Sequence, residues 1–176
     1  MDDLDQCAAL CEVFAKTGPP YEINTLQARK EAEVMINANQ LWVYQLPTDL
    51  ASGTTKNNTA IATIVAVTRS TPTVSAITKV YTNAAHRNRG CAEKLVAHVS
   101  NELLSTPIQT RGGCPKVDAY VQATKKAHSV VLFVGHTLDA TRVYRRVGFV
   151  GLDGSKGDGI EDWLELGFEG ANLGHW

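Results

Sequence analysis

Two arginines and a glycine stand where a β-type run gives way to a helical pattern, in residues 80–99, VYTNAAHRNRGCAEKLVAHV. A helix N-terminus offers about four unpaired backbone N–H groups and a partial positive charge, so it attracts anions. Gly90 lets a ligand approach the backbone, and Arg87 and Arg89 add cations whose shape suits phosphate. The stretch predicts a diphosphate site. An ordinary helix start with solvated arginines is the alternative interpretation of this stretch alone.

The common nucleotide-binding motifs do not account for this stretch. The spacings GxxxxGK[ST] and GxGxxG are both absent from it. A second stretch with a distinctive order of residues is 130–149, VVLFVGHTLDATRVYRRVGF. There an apolar run is followed by a short helical segment that contains Tyr144, and then by Gly148 and Phe149. Any function assigned to the first stretch has to be consistent with the second.

Periodicity and turn residues predict the elements that position these two stretches. Thr25 is the expected N-cap of the second helix, whose inward face is formed by Ala28, Ala32, Met35 and Ile36. The continuous apolar run 130–134 is typical of a central strand that is buried on both faces. The predicted helices are 4–15, 25–39, 90–104 and 139–147, the strands are 41–46, 60–67, 74–82 and 130–134, a hairpin closes the chain within 149–168, and 117–127 fits either a helix or a strand.

Length, charge and cysteine usage narrow the class of protein. The 176 residues suit a single domain, and a formal net charge of −1 points to neither nucleic acid nor an anionic membrane. No run approaches the roughly 20 apolar residues of a membrane span. Cys7 and Cys11 fall on an apolar helix face without a nearby His or CxxC partner, so we interpret them as small buried residues rather than metal ligands. Reduced thiols predict a cytoplasmic protein.

Together the two stretches resemble the GCN5-related N-acetyltransferase (GNAT) superfamily. Residues 87–92, RNRGCA, match its [RQ]-x-x-G-x-[GA] loop, and residues 140–149, ATRVYRRVGF, look like its A-x-x-x-Y-x-x-x-G-F helix. The longer pattern VYTNAAHRNRGCA is similar to a branch of the family that has V-Y-T followed by H-R-x-x-G-x-A. The resemblance covers roughly residues 25–168. We therefore expect one domain, with an N-terminal helix and loop at 1–24, a core at 25–168 and a tail at 169–176.

The resemblance implies a fold and a place for a cosubstrate. The fold is an α/β, GNAT-like acyl-CoA N-acyltransferase fold with a central, mostly antiparallel sheet, a splayed parallel strand pair and flanking helices. Acetyl-CoA would lie between the splayed strands 74–82 and 130–134. Backbone groups of Val80, Tyr81 and Thr82 would pair with the pantetheine amides. The diphosphate would be held by the amides of residues 87–92, namely Arg87, Asn88, Arg89, Gly90, Cys91 and Ala92, with help from the two arginine side chains.

The same resemblance implies a chemistry. Tyr144 takes the place of a tyrosine near the coenzyme A sulfur, where a phenol can donate a hydrogen bond or a proton to the departing thiolate. The general base stays open: His136, Glu22 and the C-terminal His175 and Trp176 are weak candidates, and a water relay needs no side chain. Thr137 stands where the family has an asparagine, and the family's first strand is missing before the first helix.

The expected activity is transfer of an acetyl group from acetyl-CoA to a primary amine of a small molecule by direct attack. Two alternatives stay open, namely an acetyltransferase of protein lysines or N-termini, and a non-catalytic acyl-CoA-binding module. We expect no metal, no nucleic acid and no membrane among the partners, and the choice between monomer and homodimer stays open. The sequence leaves the amine and the acyl length undefined.

Overall fold

The computed structural model describes residues 3–18, 22–47, 59–71, 73–105, 129–134 and 140–152. Within these ranges the predicted order of helices and strands is confirmed. The segment 117–127 and most of the closing hairpin lie outside the described residues. The elements are α1 (Asp3–Ala15), α2 (Thr25–Asn37), β1 (Leu41–Pro47), β2 (Thr59–Ala66), β3 (Arg69–Ser70), β4 (Val74–Ile77), β5 (Lys79–Thr82), a 3-10 turn (Ala84–His86), α3 (Cys91–Ser105), β6 (Ser129–Leu132) and α4 (Ala140–Val147).

Helix α2 begins with a capping box, and this corrects the predicted N-cap. Asn24 is the N-cap, because its Oδ1 accepts a hydrogen bond from the Gln27 N–H at 2.9 Å. The Gln27 side chain returns the contact by accepting from the Asn24 N–H, also at 2.9 Å. Thr25, predicted as the N-cap, is instead the first helical residue and its hydroxyl donates to Glu12 Oε2 at 2.9 Å. The Thr25 hydrogen bond joins the start of α2 to α1.

The strands within the described ranges form one antiparallel group and one group that contains a parallel pair. Strands β1, β2 and β5 lie side by side and are antiparallel, in the order β1-β2-β5. Strand β4 lies between β3, to which it is antiparallel, and β6, to which it is parallel. The predicted mixed sheet with a mostly antiparallel centre and one parallel pair is thus confirmed.

The predicted strand 74–82 is two strands, because it bends at Thr78. The Thr78 N–H donates to the Ala66 carbonyl at 2.8 Å, while Lys79 is the register partner of the same Ala66. Two residues of one strand therefore oppose one residue of the other, which is a β-bulge. The Thr78 hydroxyl also lies 3.3 Å from the Ala66 carbonyl and 2.9 Å from the Thr68 hydroxyl. The bend directs β4 toward β6 and β5 toward β2.

Two apolar layers cover the two faces of the sheet. One lies under α1 and α2 and contains the buried Cys7, Cys11, Ala28, Ala32, Met35, Ile61 and Ile64, with Tyr81 packed against it. The other lies under α3 and α4 and contains Val65, Val67, Ile77, Leu95, Val96, Val99, Leu103 and Tyr144, with Val80 packed against it. Cys7 and Cys11 are 1% and 0% exposed, which confirms their interpretation as small core residues.

Two predictions about burial are wrong. Ile36, expected on the inward face of α2, is 38% exposed, because that face is already occupied by Ala28, Ala32 and Met35. The strand at 130–134 is not fully buried on both faces, since Phe133 is 54% exposed and Val130 to Leu132 are only partly buried.

In the described ranges of the chain, no helix combines the length and the apolar character needed to cross a bilayer.

Candidate functional site

The outer edge of β5 carries backbone groups that point away from the sheet. The Asn83 N–H donates to the Ala62 carbonyl at 2.8 Å and extends the β2–β5 ladder, in which Ile64 faces Tyr81 and Thr63 faces Thr82. In an antiparallel ladder, hydrogen-bonded and non-hydrogen-bonded pairs alternate. Tyr81 therefore bonds to β2 through its backbone, whereas the N–H and C=O groups of its two neighbours, Val80 and Thr82, point outward. The 3.0 Å contact between the Thr63 and Thr82 hydroxyls agrees with a close, non-hydrogen-bonded pair.

This outward edge lies on the same side as β6. Strand β4 pairs with β6 from Val74–Ser129 to Ile77–Leu132, and after the bend at Thr78 the pairing is not continued by β5 among the residues described. A gap therefore opens at the point where the chain bends. Its wall on one side is the edge of β5, with the predicted contacts Val80 and Thr82. The parallel strands separate here, as the splayed pair expected from the sequence requires.

The loop after β5 leads into a helix start with free amides. Asn83 caps the 3-10 turn by accepting from the Ala85 N–H at 3.0 Å, and the backbone then turns through Asn88 and Gly90, both at positive φ (59° and 72°). The first hydrogen bond of α3 runs from the Lys94 N–H to the Gly90 carbonyl at 3.0 Å. No described residue accepts a hydrogen bond from the four backbone N–H groups of residues 90–93. The loop thus presents donors to an anion.

Gly90 is needed for its backbone conformation. At φ +72° a side chain is strained, although an added Cβ would meet no atom within 4 Å. Cys91, the first residue of α3, is buried, with 3% exposure. Both residues were predicted in the loop from the sequence, and the structure places them contiguously with Arg87 to Arg89 next to the end of β5.

The charged side chains around the loop differ in the contacts that they make. The Arg87 side chain folds back on β5, where its Nε lies 3.4 Å from the Thr82 carbonyl and its Nη2 lies 3.3 Å from the Tyr81 hydroxyl. Arg89 is exposed. Glu93, in the first turn of α3, is an anion at an end that favours anions, and Arg146 of α4 bridges to it at 3.2 Å. This ion pair joins the two helices that contain the two sequence motifs.

Tyr144 lies in the α3/α4 layer, on the face of the sheet that Val80 also contacts. It is 7% exposed, and Phe149 packs on it edge to face with ring centres 6.0 Å apart. Phe149 returns to this position because α4 ends at Gly148 (φ 107°) and the Phe149 N–H bonds the Tyr144 carbonyl at 3.0 Å. Burial raises the pKa of the Tyr144 phenol to about 12, so the group is neutral and keeps its proton at physiological pH.

A buried ion pair beside β5 was not predicted from the sequence. Lys79, the first residue of β5, is 5% exposed, its Nζ lies 2.6 Å from Glu31 Oε1 of α2, and the Phe14 ring covers it at 5.2 Å. Glu31 Oε2 is buried and has no hydrogen-bond partner among the described residues. The sequence did contain a signal, namely a lysine within an apolar β-type run. The acidic partner could not be read from the pattern.

The remaining candidates divide into those inside and those outside the described ranges. Glu22, a weak candidate base, is exposed at the surface before α2. His136, Thr137, His175 and Trp176 lie outside the described residues. Across the part of the chain that the structure describes, no group of three or more His, Cys, Asp or Glu side chains could hold a metal ion.

The helices and strands that the structure describes form a fold that is also found in solved acetyltransferase structures. Two solved structures share it: a probable acetyltransferase (TM-score 0.55, 14% identity, 94% of this chain and 93% of that chain covered) and a possible acetyltransferase from Clostridium difficile 630 (TM-score 0.56, 15% identity, 97% and 93% covered). Comparison with protein-family models and with curated proteins found no match. At these identities the likeness concerns the fold.

Proposed function

We propose that the protein is an N-acetyltransferase that moves an acetyl group from acetyl-CoA to a primary amine of a small molecule. The observation that carries the proposal is the continuity of two donor sets: the outward backbone groups of Val80 and Thr82, and the free amides at the start of α3. An extended chain with amide groups can pair with the first set, and a diphosphate can bind the second. Coenzyme A combines these two chemical features in one molecule.

The binding mode follows from the two sets. The pantetheine arm would add to the β5 edge through Val80 and Thr82. The diphosphate would receive hydrogen bonds from the amides of residues 88–92, most directly those of Gly90, Cys91 and Ala92. The Arg87 amide, predicted from the sequence as a further donor, instead donates to the Ala84 carbonyl at 3.5 Å. Arg87 and Arg89 would add charge. The thioester end would then lie toward the bend at Thr78, where β4 and β6 are still paired and close the gap.

The proposed reaction is a direct attack without a covalent enzyme intermediate. The amine nitrogen forms a bond to the thioester carbonyl carbon, the carbon–sulfur bond breaks, and the thiolate leaves with the electron pair. Tyr144 would donate a hydrogen bond to that thiolate. Because its pKa is raised to about 12, the phenol is a weaker acid than an ordinary thiol, and its role is stabilisation of the thiolate rather than complete loss of its proton. The proton of the attacking amine leaves through solvent.

The test separates donor binding from turnover. Isothermal titration of the protein with acetyl-CoA is expected to show one site, and saturation at about 100 times Kd is expected to stabilise the fold by about 2.7 kcal/mol. A thiol-release assay across small amines, with a lysine peptide as a further acceptor, then identifies the acceptor class. Absence of acetyl-CoA binding by folded protein would contradict the whole proposal. Binding without thiol release for any amine would favour the acyl-CoA-binding module, and release with the peptide alone would favour a protein acetyltransferase.

A further inference from the structure

Tyr81 contacts Arg87 in two ways, although its backbone belongs to the β2–β5 ladder. The Tyr81 hydroxyl accepts a hydrogen bond from Arg87 Nη2 at 3.3 Å, and the guanidinium carbon of Arg87 lies 5.7 Å from the centre of the Tyr81 ring. A guanidinium within about 6 Å of an aromatic ring centre is attracted to it. A side chain of β5 thus fixes the first cation of the phosphate loop.

The Tyr81 ring is itself held in place. Phe14, near the end of α1, packs on it edge to face, with ring centres 6.4 Å apart and planes at 77°. The ring has few rotatable bonds, so this contact fixes the direction in which its hydroxyl points. The contacts form a continuous line from α1 through Phe14 and Tyr81 to the guanidinium of Arg87.

The position of the guanidinium leaves it able to bind a further group. Arg87 Nε donates to the Thr82 carbonyl at 3.4 Å, which is on the outward edge of β5, so the head group lies where that edge meets the loop. A guanidinium has five N–H donors in a planar arrangement. The two protein hydrogen bonds use one donor of Nε and one of Nη2, and three donors remain for the oxygens of an anion.

We propose that Tyr81 is a positioning residue for the donor substrate: its hydroxyl and ring orient the Arg87 guanidinium toward the diphosphate of coenzyme A. This inference rests on the proposed function, because it takes the anion at the loop to be that diphosphate. It adds a side-chain role to a residue whose backbone is engaged with β2. Flexible arginines lose rotamer freedom when they bind, and a guanidinium that is already oriented loses less of it.

The experiment is a double-mutant cycle on coenzyme A affinity, measured by titration calorimetry. Tyr81→Phe removes the hydroxyl but keeps the ring, and we expect it to raise the Kd for coenzyme A by about three- to tenfold. Arg87→Ala is expected to raise Kd by about tenfold or more, since it removes a charged donor. Because Tyr81 acts through Arg87, adding Tyr81→Phe to Arg87→Ala is expected to change Kd by less than about twofold.

A matched control is Tyr44→Phe, which removes a phenol hydroxyl from β1 of the same sheet, where the ring lies under Lys94 at 5.9 Å. The Kd of the Tyr44→Phe variant for coenzyme A is expected to equal that of the wild type. Thermal melting of all variants checks that they fold. Equal losses from Tyr81→Phe with and without Arg87, or no loss in either background, would overturn the role of Tyr81. Failure of the wild-type protein to bind coenzyme A would instead overturn the proposed function, so the two failures are distinguishable.

Discussion

Tyr144 combines burial with a polar group that the fold does not require for packing. Its phenol, with the hydroxyl group at its end, lies in an apolar layer at 7% exposure. This is the expected environment for a donor that acts on a charge formed only during the reaction.

Replacement of that hydroxyl is therefore expected to affect turnover and not binding. For Tyr144→Phe we expect kcat of thiol release to fall by about 10- to 100-fold, while the Kd for acetyl-CoA changes by less than about twofold. Steady-state kinetics with the best amine and calorimetry on the same sample measure both quantities. An unchanged kcat would assign Tyr144 to core packing alone, and a parallel loss of affinity would place it in donor binding.

Gly90 can be tested by comparing its replacement by alanine with the same replacement at another glycine. For Gly90→Ala we expect a destabilisation of about 1–2 kcal/mol, because alanine at φ +72° is strained although space is available, together with weaker binding of coenzyme A as the loop shifts. Gly18→Ala is the matched control: an added Cβ there also meets nothing within 4 Å, and Gly18 is not at positive φ. Urea unfolding and titration of both variants test this. Equal effects of the two substitutions would show that φ at Gly90 is not the cause.

Between elements, the contact between Lys79 and Glu31 connects α2 to the first residue of β5, next to the bend that opens the gap. Both groups are largely removed from water, with side-chain exposures of 5% and 25%. Removal of one partner of such a pair leaves the other charge uncompensated, whereas replacement of both by apolar side chains is often neutral. The ion pair therefore fixes the position of β5 relative to α2. Its net contribution to the free energy of unfolding is small.

We expect Lys79→Met to lower the free energy of unfolding by about 2–4 kcal/mol, and the pair Lys79→Met with Glu31→Leu to recover most of this loss. The matched control is Lys16→Met, which breaks the exposed i,i+4 pair between Lys16 and Glu12 and is expected to change little. Denaturant titration measures all four proteins. Lack of recovery in the double variant would mean that the lysine acts through packing against Phe14 and not through the carboxylate.

The sequence predicted structural features where several local signals agree. It did not predict features that depend on contacts between residues far apart in the chain. The start of α3 was predicted because a glycine, a basic loop and an amphipathic helix coincide within residues 87–105. The bend at Thr78 was not, since 74–82 is β-type throughout and a one-residue bulge changes no pattern. Lys79 and Glu31 are 48 positions apart, and no local rule pairs them. Asn24 did have a signal, namely Gln27 three residues later, which completes a capping box.

At the scale of the whole molecule, the same sheet forms both the base of the two apolar layers and the gap between the strands. One layer holds α1 and α2 against Tyr81, and the other holds α3 and α4 against Val80. Because side chains alternate along a strand, adjacent residues of β5 anchor opposite layers, while its outer backbone edge remains open. The candidate site is thus supported from both faces, and its edge remains open among the residues that the structure describes.

Burial of titratable groups in these layers predicts how the stability of the whole molecule depends on pH. Desolvation raises the pKa of Cys7 from 9.0 to about 11 and of Cys11 from 9.0 to about 12; at Cys11 nearby Lys79 partly opposes the rise. Desolvation likewise raises the pKa of Tyr144 from 10.0 to about 12. Above pH 9.0 the unfolded chain loses these protons before the folded protein does. Stability is therefore full below that pH and falls as pH rises toward the folded-state values.

We expect the free energy of unfolding, measured by urea titration under reducing conditions, to decline above about pH 9 by up to about 1.4 kcal/mol per pH unit for each group that titrates only in the unfolded chain. The double variant Cys7→Ala with Cys11→Ala is expected to be less stable at neutral pH but to decline less steeply. Leu10→Ala, at a buried position of the same helix, is the control and is expected to lose stability at every pH with the wild-type slope. If the cysteine variant and the wild type declined in parallel, the two thiols would not be the source of the alkaline sensitivity.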